Sequence, residues 1–210
     1  MTTCPLCSER VGKRYCPAKE TQICSVCCGT KREIEIDCPS TCVYLKSSRI
    51  YDADKRVPDA EIAARAQKYD DEFVQRYSPV LSTLAMVVVE ERSNSPWLVD
   101  NDVIEVYKAL NTTMKTLSSG IYYETVPEGA VRVALFKGLK SALDEMMQPN
   151  PHSNVPTLKV SEAVDVLDFL LIAAEGNASI RPKSRRYLEL LSQLAGPARP
   201  SDRSSGLILP

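Results

Sequence analysis

Residues 24–42 read CSVCCGTKREIEIDCPSTC. Five cysteines fall in nineteen positions, and two of them, Cys27 and Cys28, are neighbours. The other three cysteines, Cys4, Cys7 and Cys16, lie just upstream, and none follows Cys42. Such segregation marks a cysteine-defined module joined to a cysteine-free body.

Two of the gaps, CPLC at 4–7 and CSVC at 24–27, are C-x-x-C. That spacing lets a tight turn present two thiolates to one ion. Pro5 stiffens the first turn, and Gly29 stands where a turn often needs positive φ. Cys38 and Cys42 make a third pair. Pro39 suits the first position of a helical turn, which would place both thiols on one face. Between them, Ile34 and Ile36 alternate with charges in KREIEID, which predicts a short half-buried strand.

Eight thiolates supply two tetrahedral Cys4 sites. Neighbouring side chains diverge, so Cys27 and Cys28 are expected to serve different ions. The simplest assignment is interleaved: Cys4, Cys7, Cys24 and Cys27 hold one ion; Cys16, Cys28, Cys38 and Cys42 hold the other. Zinc is the expected metal. An iron–sulfur cluster also takes four thiolates and is kept as an alternative. Thiol redox chemistry is a further alternative, although the thioredoxin-like α/β pattern around a C-x-x-C is missing. Structural zinc contributes roughly 10–16 kcal/mol to folding per site, which would let so short a segment fold.

The stretch CPLCSERVGKRYCPAKETQICSVC resembles the B-box zinc finger, a RING-like cross-brace module, over about residues 4–42. The match rests on Cys4 with Cys7, the aromatic-Cys step Tyr15-Cys16, and Ile23 before Cys24 and Cys27. The resemblance implies that the first and third pairs share an ion. Two positions depart from the family. Lys19 stands where the family has Asp or Cys, so Cys28 would supply that ligand, and Cys38 and Cys42 replace a His pair. No RING motif accompanies the resemblance, so ubiquitin-ligase activity is not implied.

The whole chain is nearly neutral, with 26 Lys plus Arg against 27 Asp plus Glu in 210 residues. No overall field draws it to nucleic acid or membrane. The first fifty residues are mildly basic, but the thiolates of two filled sites would outweigh that excess. The basic loop 10–15 (Arg10, Lys13, Arg14 and Tyr15) is the candidate contact if the partner is structured RNA. The lone histidine, His152, lies in the loop PNPHSNVP and reads as solvated. The longest apolar run, FLLIAA at 169–174, is too short to span a membrane. The N-terminus lacks an apolar signal region. A cytoplasmic location with reduced thiols is expected.

From Pro58 onward the pattern is helical. Apolar residues recur in steps of three and four from Ile62 to Val88, through Ser78-Pro79, where either a kink or a junction of two helices is expected. Further helices are predicted from Asp102 to Gly120, from Pro127 to Met146, over 161–175, and from Pro182 to Leu194. IYYETV (121–126) reads as a connector. The expected fold is a two-zinc module (knuckle, short strand, helical turn) over 1–50, a linker 51–57, and an all-α antiparallel helical bundle over 58–196. A disordered Pro/Ser/Arg tail, 197–210, ends in the apolar Leu207-Ile208-Leu209, which either docks or frays. No catalytic motif or small-molecule substrate site is evident. The expected function is non-catalytic: an adaptor whose zinc-held module binds another protein, with RNA binding as the alternative.

Overall fold

A computed structural model of the chain describes residues 2–54, 59–149 and 157–194, apart from the side chains of Ala53 and Asp54. His152, residues 55–57 of the expected linker, Pro58 and the tail 197–210 lie outside the described residues.

The described residues form one two-stranded sheet and eight helices. β1 (Arg14–Cys16) pairs antiparallel with β2 (Thr21–Ile23), setting Cys16 opposite Thr21. Gly12 precedes this hairpin because the backbone passes too close for a side chain: a Cβ there would meet the Gln22 carbonyl oxygen at 2.6 Å. α1 (Ser25–Lys31) follows at once, so the Cys27-Cys28 pair lies on a helix rather than in a turn. Successive helical side chains are about 100° apart, so the two thiols still diverge. Gly29 sits inside α1 and does not take positive φ.

The strand expected around Ile34 and Ile36 is not formed. The Lys31 carbonyl accepts from the N–H groups of Ile34, Glu35 and Ile36, and Glu33 turns back at φ +52. This tight turn buries Ile36 and leaves Ile34 exposed. The alternation of Ile34 and Ile36 with charges therefore does not correspond to a buried face here. The expected helical turn at Pro39 is a single turn closed by Cys42 N–H to the Pro39 carbonyl, 2.9 Å. α2 (Val43–Asp54) begins only after Cys42.

α3 (Ala60–Ala66) is capped by Asp59, which accepts from Glu61 and Ile62 N–H. α4 (Asp71–Asn94) runs unbroken through Pro79. The break falls earlier, at 67–70, where the Asp70 carboxylate accepts from Phe73 N–H and starts a new helix. Tyr69, in the break, packs edge-on against Phe169 and donates to Asp168 at 2.8 Å. Pro79 loses one backbone hydrogen bond, but Val80, Leu84 and Val88 on one face stay buried across it.

α5 (Asp100–Ser118) packs chiefly on α7 (Val160–Asn177) and also on α6 (Ala130–Met147). α4 packs on α6 and on α8 (Arg186–Leu194). Each start or end departs a few residues from expectation: Pro127 and Glu128 precede α6, Gly176 lies within α7, and α8 begins four residues after Pro182. α5 ends where Gly120 takes φ +84. One continuous apolar core joins α4 to α8, with Tyr107, Leu110, Leu139, Leu167 and Tyr187 inside it. Asp100 is buried at the start of α5 and caps α8 from outside, accepting from Arg186 N–H at 2.8 Å and Leu188 N–H at 3.1 Å. No helix among the described residues is long and apolar enough to cross a membrane.

The cysteine-rich segment is docked on the helical body by polar contacts. Arg49 of α2 pairs with Glu33 at 2.8 Å and with Glu189 of α8. Arg181 donates to the Arg32 carbonyl at 2.6 Å, and Lys183 N–H donates to the Glu33 carbonyl at 2.9 Å. Arg185 pairs with Asp37 and donates to the Leu98 carbonyl at 3.0 Å.

Candidate metal centre

One loop and one helix start bring four thiols together. Cys4 and Cys7 flank a tight turn closed by Ser8 N–H to the Cys4 carbonyl and by Cys4 N–H to the Arg10 carbonyl. Cys24 caps α1, its sulfur accepting from Cys27 N–H at 3.3 Å. Cys27 sits one turn further on. The four sulfurs lie within 4.8 Å of one another, with Cys7 and Cys24 at 4.0 Å. Four thiolates about 2.3 Å from a tetrahedral zinc would be spaced at about 3.8 Å. The group therefore fits one such ion after small side-chain adjustments.

The local electrostatics suit thiolates. Burial pushes the Cys4 thiol up, but backbone N–H groups of Cys24, Leu6 and Cys7 outweigh it and hold the thiol below its ordinary value. The N–H groups of Glu9 and Arg10 lower Cys7 to about 6. Cys27 is pushed up to about 12, first by burial and then by the neighbouring sulfurs. Without a cation, four sulfurs cannot all be charged at this distance. A divalent ion removes that conflict.

The second expected set is less closely gathered. Cys16 ends β1, Cys28 lies in α1, and Cys38 and Cys42 flank the turn before α2. Cys16, Cys28 and Cys42 are buried and Cys38 is half-buried. Burial raises the Cys38 thiol, Glu33 N–H partly offsets this, and the charges of Cys42 and Cys16 raise it further, so these groups are electrostatic neighbours. Cys28 is turned toward Arg32, whose Nη2 donates to its sulfur at 3.7 Å. Among the described residues, the Cys4 group is the one set of metal-binding side chains that converges this tightly. None of the eight cysteines is paired in a disulfide.

Sequence reasoning missed Arg32 and Glu33. Arg32 stands four residues after Cys28, the spacing that lets helical side chains meet. That signal becomes visible once α1 is seen as a helix. In the basic loop, Arg10 lies near Glu9 at 3.7 Å, and the Arg14 guanidinium sits over the Tyr44 ring at 4.8 Å. Both cations are thus engaged within the chain.

Compared with known proteins, the chain matches no family model, no curated protein and no solved structure.

Proposed function

We propose that the chain is a non-catalytic, zinc-binding interaction protein of the cytoplasm. Two structural ions hold its N-terminal module, one on Cys4, Cys7, Cys24 and Cys27 and one on Cys16, Cys28, Cys38 and Cys42. A B-box-like cross-brace is the topology this assignment gives. The observation that carries the reading is the convergence of four free thiols with backbone N–H donors aimed at their sulfurs. Those donors offset the negative charge of a Zn(Cys)4 centre. The second ion would need Cys28 to turn from Arg32 toward Cys16, Cys38 and Cys42, leaving Arg32 as a cation beside the filled site.

Protein binding is supported by apolar residues that the module leaves in water: Tyr15 (54% exposed), Val26 (48%) and Val43 (64%). Exposed apolar side chains on a metal-held module suit a partner surface.

Elemental analysis of anaerobically purified chain tests the metal reading. Two zinc ions per chain with little iron are expected. Stoichiometric iron and sulfide with a brown colour would overturn it in favour of a cluster. For the partner, a protein captured by the wild type should be lost with Val26→Glu and Val43→Glu. RNA binding that weakens steeply with salt, and is lost on Lys13→Ala with Arg14→Ala, would overturn the protein-binding reading.

A further inference from the structure

A cavity of about 320 Å³ lies between the cysteine module, α2 and the segment leading into α8. Four arginines line it: Arg32, Arg49, Arg181 and Arg186. Two carboxylates, Glu33 and Asp52, also line it, which leaves an excess of positive charge.

Arg49 and Arg181 are held in place by part of each guanidinium. Arg32 is 7% exposed, and its Nη2 contact to the Cys28 sulfur is given up once Cys28 joins the second ion, which frees that donor for the cavity. Arg181 donates to the Gly29 and Arg32 carbonyls through Nη1. Arg49 uses Nη1 on Glu189 and Nη2 on Glu33, so the Glu33 carboxylate is already neutralised. Each has further N–H donors with no partner among the described residues. The Arg186 guanidinium has no ion pair there at all, because only its backbone N–H is engaged, by Asp100 and Ser184. The one sealed side-chain nitrogen without any partner among the described residues belongs to Arg92, so no wholly unpartnered nitrogen of the lining arginines is sealed from solvent.

Planar donors around a concave space match an oxyanion with several acceptors. Leu45 and Ile180 supply an apolar part of the wall. The volume is that of a small-molecule site. We propose that this cavity binds a small organic phosphate monoester, with the phosphate against Arg186, Arg181 and Arg32 and its organic part toward Leu45 and Ile180. Asp52, which accepts from Ser48 at 3.2 Å, is exposed and opposes anion binding.

The test is calorimetric titration of the zinc-loaded full chain with phenyl phosphate, phenyl sulfate and inorganic phosphate. One phenyl phosphate should bind per chain, more tightly than either control ligand. Arg186→Ala should weaken it about tenfold, the loss of one charged hydrogen-bonding partner. Asp52→Asn should tighten it, an effect that misfolding would not produce. Arg76→Ala, an arginine outside the cavity, should leave it unchanged. Circular dichroism checks that each variant keeps its fold. Absence of saturable binding below about 10 mM, or equal binding by wild type and Arg186→Ala, would overturn the proposal. So would equal affinity for phenyl phosphate and phenyl sulfate. Zinc content is measured separately, so failure here leaves the metal reading standing.

Discussion

Arg49 of α2 and Glu33 of the turn after α1 form an ion pair at 2.8 Å, with Glu33 only 4% exposed. The pair ties the cysteine-rich segment to the helical body, because Arg49 also reaches Glu189 of α8. Glu33 holds positive φ, a conformation a non-glycine residue adopts only when its surroundings fix it. Its carboxylate and its carbonyl are both held, by Arg49 and by Lys183 N–H.

Removing Arg49 should therefore cost more than a surface pair would. Arg49→Ala leaves the Glu33 carboxylate buried without its cation, and roughly 3 kcal/mol of stability should be lost. Arg49→Ala combined with Glu33→Gln should recover part of that loss, since the buried Glu33 charge goes with its partner. Denaturant midpoints of the two variants check this. Equal loss in both would mean that packing, not charge, holds the contact.

Metal removal and core damage should be separable. The apolar core of α4 to α8 contains no cysteine. A strong chelator should abolish structure around the thiols while most of the helical circular dichroism remains. Conversely, Leu110→Ala, which opens a cavity at a fully buried site between α5 and its neighbours, should cost about 3 kcal/mol and leave zinc content unchanged. Collapse of the helical signal on chelation would show that the docking contacts carry the body's stability.

The body should lose stability at alkaline pH for a specific reason. Tyr69 is pushed up to about 12, first by burial and then by its hydrogen bond to Asp168. Burial raises Tyr187 to about 12 as well, and raises Tyr107, whose ring packs against it. In the folded chain these phenols keep protons that the unfolded chain releases near pH 10, so unfolding is coupled to proton release. Stability should be full below about pH 10 and should fall as pH rises toward 12. Ultraviolet titration of tyrosine ionisation, run beside denaturant unfolding at about pH 8 and about pH 11, checks this. Tyr69→Phe should lessen the fall.

Much of the body was legible because its apolar stripes recur at helical spacing, from Ile62 to Val88 and through α5 to α8. Its boundaries were less so. Pro79 looked like the break, yet Val80, Leu84 and Val88 keep one face buried across it, and the true break is set by Asp70 as a cap and by Tyr69 packing on Phe169. The Cys4, Cys7, Cys24 and Cys27 group followed from two C-x-x-C spacings, each a local constraint that sequence displays directly. The turn at Lys31–Ile36 was misread as a strand because Ile34 and Ile36 alternate with charges in sequence, although the turn buries Ile36 and leaves Ile34 exposed. The Arg49, Arg181 and Arg185 contacts join positions far apart in the chain, and no local pattern announces them. The hairpin Arg14–Ile23 was missed because each strand is three residues long, too short for alternation to register.

The central claim is that the neighbours Cys27 and Cys28 serve different ions. Zinc per chain, measured on Cys27→Ser, on Cys4→Ser with Cys27→Ser, on Cys28→Ser, and on Cys27→Ser with Cys28→Ser, tests it most directly. A site left with three thiolates is open to water and binds metal more weakly. The first two proteins should each lose about one zinc, because both changes strike the same site and their effects do not add. The Cys27→Ser, Cys28→Ser protein should lose both. If Cys28→Ser alone retains the full zinc content of the wild type, Cys28 is a buried free thiol held by Arg32, and the two-ion account is wrong.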